Sequence, residues 1–265
     1  MKNKLIIEEF LKKYPSIEQD IDKNRIDIKV LSNIYNDYIL YRDTYENQAN
    51  FISNILRSHN KVHSVKSRVK DPERLIEKVI RKTQNRKEKY GEDFQFSVEN
   101  YKNEINDLIG IRAIHIFKQE WEIIHEFILN TWTVMEITAN VRDGDDTRRF
   151  EELGIQIKSR KSGYRSVHYL IEFYPTSQKV IAEIQVRTIF EEGYGEIDHQ
   201  LRYSHKQIPE ILASNLLLFN RIAGSADEMA SLINLLNKNW CEMEEKYKNI
   251  IAEKEKEIVR LKEKL

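Results

Sequence analysis

The chain has 265 residues, with 43 Lys plus Arg against 43 Asp plus Glu, and so a formal net charge of zero. Neutrality excludes a whole-chain pull toward nucleic acid or membrane; any polyanion must meet a local patch. A 40% hydrophobic content excludes disorder, the single Cys241 excludes an intrachain disulfide or a multi-cysteine zinc site, and eight glycines with four prolines point to long helices.

No apolar run approaches the roughly 18 residues of a membrane helix, and the N-terminus lacks a signal-peptide core. The expectation is a cytoplasmic protein with no membrane partner. Residues 1–60 read as helical, broken at Pro15-Ser16, with Ile28, Leu31, Ile34, Tyr35, Tyr38 and Tyr41 at helical spacing. Helix-packing contacts are the plain expectation for these tyrosines. Residues 57–89 then hold twelve Lys/Arg against four acids. Asp71-Pro72-Glu73 is a helix start, a capping residue followed by proline at the first helical position. That helix runs to about Tyr90-Gly91, with Leu75, Ile76, Val79 and Ile80 as its buried stripe and Arg74, Lys78 and Arg81 on another face. The basic segment is either a solvated helix face or a site for a polyanion such as a nucleoside triphosphate or RNA.

From Asp107 the period changes to two. Residues 107–117 are a nearly continuous apolar run, as in a central strand. A helix is expected over 120–130 and a strand over 133–141, then a polar Gly/Asp loop over 142–152. Strands follow at 154–160, 165–174 and 179–187, the last two joined by a turn at Pro175-Thr176-Ser177. Helical period returns over 188–203 and from Pro209 to Leu265. The fold class is α+β: a mixed sheet of about five strands flanked by helices, with helical N- and C-terminal extensions. The expected division is 1–56, 57–205 and 206–265.

The strands alternate, and alternate residues on a strand face opposite ways. Val180, Ala182, Ile184 and Val186 share one face with their neighbours Val167, Tyr169, Ile171 and Phe173. The other face carries Tyr164, His168, Glu183, Gln185, Arg187, Lys158 and Arg160. A plain solvated sheet face is one reading. This mixture of single carboxylates, cations, tyrosine and histidine also suits an anion site with a metal-binding or basic carboxylate inside it. Asp107, where the central strand begins, is costly unless paired or metal-bound. It could be a cap, pair with Arg112, or join Glu183 in holding Mg²⁺, which takes oxygen ligands and completes its shell with water and phosphates. On the next helix Ile189, Phe190, Tyr194, Ile197 and Leu201 look inward. Glu196 and His199 there have Glu-x-x-His spacing. A single copy of that spacing points to support of a site rather than to a ligand.

Five segments, in order, resemble the synthetase domain of the RelA/SpoT family: Ser67–Lys78, Asp107-Leu-Ile-Gly-Ile-Arg112, Ser162-Gly-Tyr-Arg-Ser-Val-His-Tyr169, Ala182-Glu-Ile-Gln-Val-Arg-Thr188 and Gly195–Tyr203. The resemblance covers roughly 60–205 and implies a small, single-domain member with a nucleotidyltransferase-like fold. It also implies transfer of the β,γ-pyrophosphate of ATP to the 3′-hydroxyl of GDP or GTP. By position, Arg68, Lys70, Lys78 and Arg112 would hold the ATP phosphates. Asp107 would bind Mg²⁺, and Glu183 would bind the metal or act as base. Tyr164 would stack on the acceptor base, His168 would contact its phosphates or sugar, and Gln185 and Arg187 would complete the floor. The chain departs from the family where Ser162 replaces an asparagine and Lys158, Arg160 and Lys161 replace a Pro-Lys pair. That leaves two alternatives: a toxic member acting on the tRNA 3′ end or an adenine nucleotide, or a non-catalytic nucleotide- or RNA-binding module.

The tail steps by 4, 3, 4, 3 through Leu236, Trp240, Met243, Tyr247 and Ile250, and Ile251, Ile258, Leu261 and Leu265 continue one residue out of phase. Such a seam either folds back onto the domain or binds a second copy or an antitoxin-like partner.

Overall fold

The computed structural model describes residues 5–175, 179–204 and 208–262. They divide into two compact units, one formed by 1–115 with 122–187 and the other by 116–121 with 188–265. The expected turn at Thr176-Ser177 lies outside the described residues, as does Leu265 of the tail.

The first unit opens with α1 (Ile7–Lys13), a 3₁₀ turn (Pro15–Ile17), α2 (Glu18–Asn24) and the long α3 (Ile28–Arg57). The second helical stretch expected from Ile17 is thus split. Arg25 ends α2 in the left-handed region (φ 52°, ψ 48°), and Asp27 caps α3 by accepting from the Lys29 N–H at 2.8 Å. Leu31, Ile34, Tyr35, Tyr38, Tyr45 and Ile52 form the buried side of α3, so Tyr35 and Tyr38 are core residues, whereas Tyr41 is partly exposed. In α4 (Pro72–Tyr90), Asp71 accepts from the Arg74 N–H at 3.1 Å and Pro72 occupies the first turn, as its sequence requires.

Among the described residues the sheet has six strands, one more than the five read from the sequence: β1 (Ser64–Val69), β2 (Ile109–His115), β3 (Thr133–Val141), β4 (Gln156–Ser159), β5 (Ser166–Phe173) and β6 (Val180–Thr188), in the order β1-β2-β6-β5-β3-β4. The additional strand, β1, is an edge strand with only two valines in Ser-Val-Lys-Ser-Arg-Val, too polar to declare itself by hydrophobicity. It pairs antiparallel with β2, as do β3 with β5 and β5 with β6, while β3 and β4 are parallel. Between them lie α5 (Tyr101–Glu104), α6 (Glu120–Thr131) and α7 (Arg148–Glu152), the last a short helix inside the expected 142–152 loop. Register sets the polar face. Arg68 pairs with Gly110, Lys66 with Arg112, His168 with both Gln185 and Thr138, and Thr138 with Gln156. The opposite face buries Ile109, Ile111, Ala113, Tyr169, Ala182 and Ile184.

In the second unit, α8 (Ile189–Ser204) packs with the start of α9 (Glu210–Lys262) around Tyr194, Leu216 and Ala223, with Phe190 and Leu201 at the margin. Ile189 and Ile197 are exposed rather than inward, while Glu192 and Asp198 on the same helix are buried. The buried residues of α9 run from Leu216 to Ser231, and no described residue beyond Ser231 is buried. No described helix is long and apolar enough to cross a membrane.

Candidate active site

Three separate segments meet at Asp107. Lys70 follows β1 directly, Lys78 lies in the second turn of α4, and Asp107 sits in the turn before β2. Both ammonium groups reach Asp107 Oδ2 at 2.7 Å, and the carboxylate is 16% exposed. Burial alone would raise the Asp107 pKa, but the two lysines outweigh it and hold it at about 2. Burial, with Lys78 and Arg68 nearby, holds the Lys70 ammonium below the usual lysine range even though Asp107 pulls the other way. The Tyr38 hydroxyl donates to the Lys70 carbonyl at 2.6 Å, tying α3 to this segment. Asp107 Oδ1 is buried with no hydrogen-bond partner among the described residues. A second carboxylate oxygen left in this state is an open acceptor.

Arg68 crosses the neighbouring strand at Gly110. A Cβ there would stand 3.4 Å from Arg68 Nε and 3.5 Å from Cγ, so the bare backbone gives the arginine its resting place. Arg112 is two residues along β2 on the same face and, with Arg187, acts on the Tyr164 hydroxyl electrostatically.

The second carboxylate, Glu183 on β6, sits in a closed ring of hydrogen bonds. Its Oε1 lies 3.2 Å from His168 Nδ1, and its Oε2 accepts from Gln185 Nε2 at 2.7 Å. Arg187 Nη2 donates to the Tyr164 hydroxyl at 2.6 Å and also to Gln185 Oε1. The Tyr164 hydroxyl lies 3.1 Å from His168 Nε2. With the Tyr164 hydroxyl donating to Nε2, the imidazole donates from Nδ1 to Glu183, and the five side chains close the ring. Burial would raise Glu183; His168 and the Gln185 amide reverse that and hold it at about 2, while the field of Asp107 opposes them. Burial raises the Tyr164 pKa, against Arg187, whose guanidinium carbon is 5.1 Å from the ring centre.

The expected acceptor cations are less concentrated. Arg160 Nε donates to Asn140 Oδ1 at 2.6 Å, Lys158 lies 3.8 Å from Glu136, and Lys161 is exposed. Gly163, with φ at 76°, makes the turn that delivers Tyr164. Two residues escaped sequence reasoning. Arg165 Nε and Nη2 clasp the two oxygens of Asp145 at 2.6 and 2.8 Å, and the Arg142 N–H adds a third bond at 2.9 Å. The only signal was the Gly/Asp cluster of 142–152 with an arginine inside the Ser162–Tyr169 motif. Glu196 and His199 lie on α8, in the second unit.

No group of three or more His, Cys, Asp or Glu side chains suited to a metal occurs among the described residues. Asp107, with its open buried oxygen, and Glu183, which feels its charge, are still the kind of ligands that fit Mg²⁺, which keeps waters and takes phosphate oxygens.

Residues 67–208 match the family described as "Region found in RelA / SpoT proteins". The chain is similar to GTP pyrophosphokinase YwaC of Bacillus subtilis (strain 168), 26% identical over 211 residues, spanning 75% of this chain and 89% of that protein. Among solved structures it is similar to small alarmone synthetase 1 from Bacillus subtilis bound to its product pppGpp, with TM-score 0.54, 23% identity, and 74% and 94% of the two chains covered. The same enzyme bound to AMPCPP gives TM-score 0.55 and 22% identity over 76% and 96%. At these identities the structural likeness establishes a shared α+β fold.

Proposed function

From the premise that this chain belongs to the RelA/SpoT family, whose match spans more than half of it, we propose that it is a (p)ppGpp synthetase. It would transfer the β,γ-pyrophosphate of ATP to the 3′-hydroxyl of GDP or GTP. The relative named GTP pyrophosphokinase, which this chain matches over most of its length, supports the reading. The observation that carries it is Asp107, clasped by Lys70 and Lys78, whose charge is felt by Glu183 in its ring on the polar sheet face. Two electrostatically linked carboxylates among fixed cations suit phosphoryl-type transfer, which asks mainly for positioning and charge neutralisation.

In this reading Arg68, Lys70, Lys78 and Arg112 bind the ATP phosphates. Tyr164 stacks on the acceptor base through the face opposite Arg187, and His168, Gln185 and Arg187 fix the acceptor. Lys158, Arg160 and Lys161 draw in its charged end, and Glu196 and His199 support the site. Asp107 and Glu183 would hold Mg²⁺, which when bound neutralises phosphate charge. The 3′-hydroxyl oxygen bonds to the β-phosphorus of ATP, AMP leaves, and Glu183 is the carboxylate on hand for the hydroxyl proton. Residues 57–205 form the catalytic domain, with 1–56 and 206–265 as helical extensions. A cytoplasmic location fits substrates of this kind.

The test is transfer from γ-labelled ATP with GDP, GTP, ADP or tRNA offered in parallel. Labelled guanosine product from wild type, reduced on the order of 100-fold or more by Glu183→Gln, is the expected result. Label on tRNA alone would replace this reading with the translation-blocking alternative. Undiminished activity in Glu183→Gln would remove that residue from the machinery.

A further inference from the structure

From Leu232 to Lys262, α9 buries no side chain, yet it carries a regular apolar stripe. Leu236, Trp240, Met243, Tyr247, Ile251 and Ile258 are each between 50% and 69% exposed. The apparent break in the heptad disappears on an eleven-residue period: 236, 247 and 258 form one row, 240 and 251 a second, 243 and 254 a third. Eleven residues in three turns is 3.67 per turn, close to the helix's own 3.6, so the stripe runs almost straight along one side for roughly 33 Å. A lone helix segment of this kind is marginal in water, and half-exposed tryptophan, tyrosine and isoleucine favour cover.

We propose that this stripe is the interface between two copies of the chain, their α9 helices packed antiparallel about a two-fold axis near Asn249. Three observations select a second copy. First, the segment 236–262 carries six acidic and seven basic side chains, so a copy is not repelled and no strongly charged partner is called for. Lys248–Glu244 at 2.8 Å and Lys254–Glu257 at 2.7 Å already pair charges along the helix, leaving the apolar stripe as the uncovered surface. Second, a straight stripe stays in contact along its length only with a partner of the same period, and this helix is one; a heptad partner would drift away. Third, covering six such residues and their neighbours on both helices removes on the order of 1,200 Å² from water, the lower end for a stable specific interface.

The antiparallel direction follows from Lys254, the one charge within the stripe. A parallel pair sets it against its own copy. Antiparallel about residue 249, Lys254, already beside its own Glu257, gains Glu244 of the second copy as a further carboxylate neighbour, Trp240 meets Ile258 and Tyr247 meets Ile251. None of this depends on the transferase reading.

The test uses the full chain. Sedimentation at about 10 μM compares wild type with Trp240→Glu/Ile251→Glu, and a nitroxide on Cys241, exposed and the chain's single cysteine, reports distance. The expected outcome is a halved mass and loss of the dipolar signal in the double variant, with thermal unfolding of the first unit unchanged. In wild type, labels 16 positions apart along the antiparallel pair should sit roughly 25–30 Å apart. Equal masses for the two proteins, or no dipolar signal in wild type, would overturn the interface and leave the stripe to a different protein. A distance near 10 Å would overturn the antiparallel arrangement.

Discussion

Replacing Asp145 by Asn should loosen the loop that precedes the acceptor strand. Asp145 receives both guanidinium bonds of Arg165, at 2.6 and 2.8 Å, and the Arg142 N–H at 2.9 Å. Asparagine keeps one acceptor but turns an NH₂ toward the guanidinium, so one charge-assisted bond becomes a donor facing a donor. A hydrogen bond to a charged group contributes about 1.5–3 kcal/mol, and breaking a fully buried pair costs about 3–5 kcal/mol. The Arg165 and Asp145 side chains are 11% and 19% exposed, so a discount for solvent is due and the expected cost is about 2 kcal/mol. For a chain of this size that lowers Tm by roughly 4–8 °C. Burial raises the Asp145 pKa, yet Arg165 and the Arg142 N–H together hold it below the usual range. A depressed folded pKa gives stability that is present above the unfolded value of about 3.9 and lost as pH falls through the folded one. The wild-type advantage over Asp145→Asn should therefore be level from pH 5 to 8 and shrink below pH 4. Urea unfolding of wild type, Asp145→Asn, Arg165→Met and the double variant gives the coupling directly. A coupling under about 0.3 kcal/mol, or an advantage undiminished at pH 3, would sink the reasoning. Because Arg165 adjoins Tyr164, both single variants should raise the acceptor KM more than the ATP KM.

Tyr38→Phe removes the bond to the Lys70 carbonyl, worth about 1 kcal/mol, and should raise the ATP KM roughly fivefold. Tyr101→Phe, which loses a comparable buried bond to Asp37, should leave that KM alone; equal effects would mean that neither acts through Lys70. Asp107→Asn leaves Lys70 and Lys78 without their shared anion, and labelled-ATP assays should show activity falling about 100-fold or more. Gly163→Ala places a side chain at φ 76° and should cost about 1–2 kcal/mol by urea unfolding, with the acceptor KM reporting the displaced turn.

Much of the fold was written locally. Asp71-Pro72 starts a helix because capping and proline geometry act within one turn, and β3 has the 133–141 bounds expected of it. The apolar rows of β5 and β6 identify the buried face without reference to a partner. Asp107 and Glu183 also stood out early, since an isolated carboxylate in an apolar strand context demands an explanation. Other features came only from assembly. β1 is recognisable by what it pairs with, because Ser, Lys and Arg outnumber its two valines. The anion between Lys70 and Lys78 comes from Asp107, 37 positions beyond Lys70, and the ring through Tyr164, His168, Glu183, Gln185 and Arg187 needs the register that sets His168 against Gln185. Arg165 and Asp145, twenty positions apart, meet only because the loop after β3 lies beside the start of β5. The tail marks the boundary most clearly. Its hydrophobic spacing is a property of the sequence, but whether the stripe is covered is a tertiary matter, and no described residue beyond Ser231 is buried. Local signals act through neighbours one turn or two residues away, whereas sites and surfaces depend on distances that exist only once the chain has closed on itself.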